Sequence, residues 1–439
     1  MEKIDHLIHA KWIITCEEAQ ALLENHALAI RDDKILAILP SKDAERKYQA
    51  TSVHHYSSHA VMPGLINSHT HLAMNAFRGL ADDLDLMDWL NHYIWPSESK
   101  WVSQELVYDA SLLAMGEMIR GGITCFNDMY FFMGATAEAA DLSGLRAHIG
   151  MTIIDVPTAW AKTPEEYFAK ALEFYHQYKD KKRITPTLAP HSTYTVSTEH
   201  LIKAKEIADT HRLKINIHLQ EAPAEIQQSL EKYHKRPLER LQEIGMASPD
   251  LIAIHMTQVN DNDFDILQKT KPSIVHCPES NMKLVCGGCP VEKLTRLGIN
   301  VALGTDGAAS NNDLDMFSEM RTAALLGKTV ANDPKAVSAE KVIKMATLNG
   351  AKALGIDHLT GSLAPGKAAD LIAIDLEQIE TLPLYHPISQ IVYASSRYQV
   401  AHVWVAGKQL LKNRELLTLN EKELLNKAQY WGKKIKNSV

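Results

Sequence analysis

Short apolar runs alternating with helix-like stretches constrain this chain more than any other feature of it. Eight runs stand out, at 61–67, 123–127, 147–153, 184–189, 213–217, 251–254, 273–275 and 300–304. Helix-like stretches lie among them, at 105–120, 164–178, 198–212 and 261–269. Strand-length runs separated by helical segments over roughly 250 to 300 residues predict a (β/α)8 TIM barrel, an α/β fold. The competing doubly wound open sheet would call for a Gly-rich phosphate fingerprint after the first strand, and none occurs.

The residues at the ends of these runs sharpen the expectation. The runs exit, in order, at His69 and His71, Asp128, Asp155, His191, His218, His255, His276 and Asp306. Barrel enzymes carry their chemistry at the C-terminal ends of their strands. Random placement of 21 histidines in 439 residues would rarely put a titratable side chain at every exit.

The flanks have a different texture. Short β segments with Asp-rich turns fill the first sixty residues, and the same pattern returns at 369–374 and 401–405. Neither flank has enough strands to close a core, so both ends together are expected to build one small β-sandwich. The expected division is 1–60 sandwich, 61–360 barrel, 361–420 sandwich again, and a charged amphipathic helix in 421–439.

Composition excludes several classes. Forty-six percent hydrophobic residues, 23% charged and a net charge of −7 are ordinary for a soluble protein. Nucleic acid and membrane surfaces are held by clustered Lys and Arg, so neither is expected as a partner. Five cysteines are too few and too scattered for a disulfide framework, and the start lacks an apolar signal core, which points to a reducing cytoplasm. Cys286-Gly287-Gly288-Cys289 has no second pair at finger spacing and reads as reduced loop thiols. Cys277 reads as a small buried residue.

The sharpest chemical signal is His69-Thr70-His71. Residues i and i+2 on a strand project to the same face and can chelate one ion. Adding His218 and Asp306 gives a His3Asp set converging on the barrel mouth, suited to Zn2+ or Fe2+ with an open position for water. His255 is either a further nitrogen ligand or a group that hydrogen-bonds that water. Glu221, three residues beyond His218, is either a proton shuttle or a helix-start Glu favoured by the dipole. The fourth run ends Leu188-Ala189-Pro190-His191 without a bridging lysine, which favours one metal over two.

With these motifs in view the chain resembles a known family. The segments 63–71, 218–221, 276–284 and 304–316 are similar to the amidohydrolase superfamily, and most to its 5-methylthioadenosine/S-adenosylhomocysteine deaminases, near the triazine hydrolases. The resemblance spans nearly the whole chain. It implies one zinc held by His69, His71, His218 and Asp306, with Glu221, His255 and Asp306 as the catalytic groups. It also implies that Glu98, in Trp95-Pro96-Ser97-Glu98, binds ribose hydroxyls and that His191 contacts substrate, with Trp95 and His276 nearby. An arginine near the third strand is expected to hold a homocysteine tail. Only Arg146 aligns there, which favours methylthioadenosine or adenosine.

The implied reaction is hydrolytic deamination at C6 of an adenine nucleoside, giving the inosine analogue and ammonia, with a small-molecule substrate and a homo-oligomer allowed. Two readings compete with it. Guanine, cytosine or triazine rings use the same metal chemistry. A silent ligand-binding barrel would keep the fold without catalysis. The cytidine-deaminase class is disfavoured, because its signature H-x-E with P-C-x-x-C is missing.

Overall fold

The computed structural model describes residues 1–18 and 21–436. The first flank supplies β1 (Glu2–Ile14), β2 (Leu22–Arg31), β3 (Lys34–Pro40) and β4 (Tyr48–Pro63). The centre supplies β5 (Leu65–Thr70), β6 (Ile123–Tyr130), β7 (Arg146–Ile153), β8 (Ile184–Pro190), β9 (Ile215–Leu219), β10 (Leu251–His255), β11 (Ser273–His276) and β12 (Val301–Leu303). The second flank adds β13 (Leu371–Asp375), β14 (Val400–Val405), β15 (Lys408–Lys412) and β16 (Glu415–Leu416).

Strands β5 to β12 form one parallel sheet in sequence order. Both faces are buried, so the strands are shielded along their whole length, polar residues included. Helices such as Gln104–Arg120, Pro164–Tyr178 and Thr198–His211 cover the outside, each opened by a Ser or Thr whose hydroxyl accepts from a first-turn N–H. The barrel closes where the Asp306 N–H donates to the His69 carbonyl at 3.1 Å. Asn67 stitches the same seam, accepting from the Thr305 N–H at 3.0 Å and donating to Thr305 Oγ1 at 2.8 Å. A Cβ on Gly304 would come within 2.8 Å of the His69 nitrogen, so only glycine lets these backbones approach.

Both chain ends combine in a second sheet of order β16-β15-β14-β13-β4-β1-β2-β3. Its inner cluster includes Ile8, Leu28, Ile30, Val61, Leu371 and Trp404. β4 belongs to this sheet as far as Pro63, which pairs with Leu371, so the chain passes from sheet to barrel through Gly64 alone. A buried ion pair joins the two bodies: Arg146, the first residue of β7, meets Asp370 with Nε–Oδ2 at 2.5 Å and Nη2–Oδ1 at 3.1 Å. The terminal helix Glu421–Lys436 packs on Gln104–Arg120, and Trp431 Nε1 donates to Asp109 at 3.0 Å. Among the described residues no helix is long and apolar enough to cross a membrane.

Candidate active site

Four donors meet at the C-terminal mouth of the barrel. His69 and His71 leave β5, His218 sits on β9, and Asp306 lies just past β12. One ligand atom from each falls within 4.8 Å of all the others. His218 Nε2 lies 3.2 Å from His69 Nε2 and 3.3 Å from His71 Nε2, and Asp306 Oδ1 is 3.4 and 3.2 Å from the same two nitrogens.

Their orientation is set from behind. His71 Nδ1 donates to the Met129 carbonyl at 2.5 Å and His218 Nδ1 to the His191 carbonyl at 2.7 Å, which aims both Nε2 atoms at the centre. Ser280 and Ser310 hydroxyls donate to Asp306 Oδ2 at 2.7 and 3.1 Å. The backbone is bent to make this possible: Gln220, His255, Met256 and Asp306 all hold positive φ, at 51°, 75°, 47° and 61°. Left-handed conformations at non-glycine residues cost on the order of 1–3 kcal/mol each and gather where function over-determines them.

The electrostatics fit a cation. Burial drives the His218 imidazole well below its usual pKa and His69 to about 4, so both offer neutral nitrogens. Burial pushes the Asp306 carboxyl up, but His69 and His71 pull it well below the usual range. His71, pushed down by burial, is raised to about 9 by Asp306. A buried carboxylate therefore recruits a positive charge from a neighbouring imidazole, and three imidazoles with one carboxylate form a donor set for a divalent ion.

Two further groups flank the donors. Glu221 Oε1 is 3.7 Å from His255 Nε2, and both are buried. Burial, with Asp306 nearby, raises Glu221 to about 8, so it keeps a proton at neutral pH. Its backbone is gripped on both sides, with Glu225 Oε2 accepting its N–H at 2.8 Å and Thr257 Oγ1 donating to its carbonyl at 2.5 Å. Asn281 Nδ2 donates to His255 Nδ1 at 3.0 Å, which places the imidazole proton on Nε2, toward Glu221.

A cavity of about 470 Å3 opens above these groups and is lined by Trp95, Glu98, His191 and Glu221, among others. Glu98 is half-buried and accepts from the Tyr130 hydroxyl at 2.6 Å; desolvation raises it to about 6, so it is mostly ionised at neutral pH. His191 Nδ1 is engaged by Thr195 Oγ1 at 2.9 Å.

Most of the site residues anticipated from the sequence thus come together. Arg146 does not: it is spent on Asp370 at the opposite end of its strand and lines no part of the cavity. This removes it from the substrate-binding set. His276 is buried behind the cavity wall, with Nδ1 lacking a partner, and is not a lining residue either. Two strand-exit carboxylates are structural. Asp128 accepts the Leu72 N–H at 2.8 Å, and Asp155 binds His200 Nδ1 and the Ser197 N–H, each at 2.8 Å. Cys286 and Cys289 are free buried thiols; Cys286 Sγ lies 3.9 Å from Glu221 Oε1, in the site's wall. Sequence reasoning misses Tyr130, Thr195, Ser280, Ser310 and Asn281, along with the cavity wall at Leu86, Trp89, Leu90 and Ile94. The wall has a signal, since those four residues recur at helical spacing.

Fold and site together define a metal-dependent hydrolase of the barrel type, and similarity to known proteins gives its family. The chain belongs to the amidohydrolase family, whose profile matches residues 60–410. It is 44% identical over 432 residues to a 5-methylthioadenosine/S-adenosylhomocysteine deaminase of Teredinibacter turnerae, covering 98% of each chain. It is 39% identical to a 5'-deoxyadenosine deaminase of Methanosarcina mazei, covering 97% of each. Among solved structures it is similar to an adenosine deaminase from Xanthomonas campestris with bound zinc, with a TM-score of 0.98, 44% identity and 99% of each chain covered.

Proposed function

We propose that the chain is a zinc-dependent deaminase that converts an adenine nucleoside and water to the inosine analogue and ammonia. The observation that carries this reading is the joint placement, around one cavity, of the His3Asp donor set, a proton-holding Glu221 and, at a distance, the half-buried Glu98 bonded to Tyr130. Similarity to proteins named as adenosine, 5'-deoxyadenosine and methylthioadenosine deaminases supports it.

Zinc held by His69, His71, His218 and Asp306 would supply Lewis acidity and a water of lowered pKa. The chain's own groups do the rest. Ionised Glu98 accepts from the ribose 2'- and 3'-hydroxyls and fixes the ring's distance from the donors. His191, neutral because burial holds it at about 3, offers Nε2 to the substrate. Glu221 delivers its proton to ring N1 as C6 becomes tetrahedral, which prevents negative charge from building on the purine. His255 Nε2–H, aimed by Asn281, steadies the oxygen added at C6. Glu221 then shuttles a second proton from that oxygen to the departing amine, and the C6–N bond breaks to release ammonia.

The substrate's 5' end is read by an apolar wall. Leu86, Trp89, Leu90, Ile94, Phe131 and Val156 line the cavity, and among the described residues no arginine does. The lining Lys162 donates its ammonium to the Thr158 carbonyl at 2.7 Å. An amino-acid tail would bring a carboxylate and an ammonium to a mostly apolar wall whose lysine, Lys162, is already bonded to Thr158, whereas a methylthio or methyl group suits it. Methylthioadenosine, 5'-deoxyadenosine and adenosine are therefore the expected substrates, ahead of S-adenosylhomocysteine.

Metal-assayed protein tested spectrophotometrically on these four nucleosides and on guanine decides the matter. Turnover of the nucleosides is expected, and turnover of guanine alone overturns the proposal.

A further inference from the structure

The active centre leaves His6, His9, His54, His55, His59 and His402 unexplained, and all of them lie on the second sheet. Strands β1 and β4 run parallel, with Ile8 opposite His54 and His9 opposite His55. Side chains alternate faces along a strand. His6 and His54 therefore sit diagonally on one face, while His9 stacks on His55 on the other, with ring centroids 4.7 Å apart.

His6 Nδ1 and His54 Nε2 face each other at 3.4 Å. The distance is at the long end of what lets one neutral imidazole donate to the other. It suits two ligands of one tetrahedral cation, since metal–nitrogen bonds of about 2.0–2.1 Å put ligand atoms roughly 3.3 Å apart. The active centre supplies an internal yardstick, because its imidazole nitrogens stand 3.2 and 3.3 Å from one another. We propose that His6 and His54 form a second site, on the sheet built from the chain ends, for one late first-row divalent cation such as Cu2+, Ni2+ or Zn2+.

Packing holds the geometry in place. The buried Tyr56 hydroxyl lies 3.5 Å from His54 Nδ1, and the fully buried Trp404 meets the His54 ring edge-on at 5.8 Å. Both imidazoles are half-buried, which keeps the pair reachable from solvent. Burial, reinforced by His6, Lys412 and His55, lowers His54 to about 4, so at neutral pH the ring is uncharged and one nitrogen offers a lone pair. No carboxylate is among the groups acting on His54, and Lys412 opposes added positive charge. Binding rests on two imidazoles with water completing the shell, which selects nitrogen-seeking cations over Mg2+ or Ca2+. The site is expected to be weaker than the four-donor centre.

The test uses full-length protein already carrying its active-centre metal. Equilibrium dialysis against Cu2+ or Ni2+, followed by metal analysis, is expected to show a second equivalent per chain. His6→Ala and His54→Gln should each lose it while keeping the first equivalent and an unchanged deamination rate. His386→Ala removes an exposed imidazole elsewhere and should keep both equivalents. Copper electron paramagnetic resonance should show nitrogen hyperfine coupling in the wild type that disappears in the two site variants. Uptake of a single equivalent by the wild type overturns the proposal, as does a second equivalent that persists in His6→Ala and His54→Gln or vanishes in His386→Ala.

Discussion

Replacing Arg146 by Met separates a structural role from a substrate-binding one. The guanidinium and the Asp370 carboxylate are both buried and bonded at two points, and Asp370 Oδ1 also accepts the Ala406 N–H at 2.7 Å. Removing the cation strands a carboxylate in a buried interface between barrel and sheet, which costs about 3–5 kcal/mol. That is a large part of the roughly 5–15 kcal/mol by which folded proteins exceed their unfolded chains. Converting Asp370 to Leu in the same chain removes the stranded charge and leaves only the Ala406 N–H without its acceptor, a penalty of about 1–3 kcal/mol. The double variant should therefore be more stable than Arg146→Met alone. The assay is urea denaturation followed by fluorescence, with midpoints compared at unchanged slope and kcat/KM measured well below the transition. Kinetics on methylthioadenosine and S-adenosylhomocysteine should stay at wild-type values in folded Arg146→Met. An unchanged midpoint together with a selective loss on S-adenosylhomocysteine would refute this account and return Arg146 to the substrate.

Glu221→Gln should lower kcat by about 10²- to 10⁴-fold, the usual worth of a positioned proton donor, with metal content unchanged by elemental analysis. Glu98→Gln removes a charged acceptor worth about 1.5–3 kcal/mol, so kcat/KM on ribonucleosides should fall by roughly 10- to 150-fold. The loss should be smaller on 2',3'-dideoxyadenosine, which lacks the hydroxyls. Asn281→Ala frees the His255 ring, and kcat should fall by about 10-fold or more with KM and bound metal little changed. Glu292 lies outside the site. Against the upward push of burial, Lys341 and the Val337 N–H hold it at about 2. A depressed carboxyl stabilises the fold above its unfolded value, and that gain is lost as pH falls toward the folded one. Glu292→Gln should thus cost about 1–2 kcal/mol at neutral pH, after discounting for solvent screening, and the gap to wild type should close as pH drops from about 4.5 toward 2.

The metal donors are legible in the sequence because their chemistry depends on local spacing and strand direction. His69-Thr70-His71 needs only the two-residue period of a strand, and His218 and Asp306 need only the rule that barrel chemistry gathers at strand exits. The same rule, applied strictly, reads Arg146 correctly. It precedes the apolar run 147–153, so it enters β7 rather than leaving it and must lie at the end of the barrel away from the cavity. Proximity in sequence to the third strand is not proximity to the mouth.

Strand exits are necessary for a role in this site without being sufficient, and His276 shows why. It ends β11 at the same level as His255 ends β10, yet it is sealed in the wall while His255 faces Glu221. The difference lies in the backbone. His255 holds a φ of 75°, followed by Met256 at 47°, and this left-handed pair turns the ring inward, while no such turn occurs at His276. Nothing in Ile252-Ala253-Ile254-His255 announces that conformation, because a non-glycine residue adopts it only when surrounding contacts compensate the strain. Asn281, on the helix after β11, supplies one compensating contact by donating to His255 Nδ1. The helix that His276 introduces therefore aims its neighbour's imidazole, so the segment 276–281 acts on the reaction through Asn281 and not through the histidine at the strand exit.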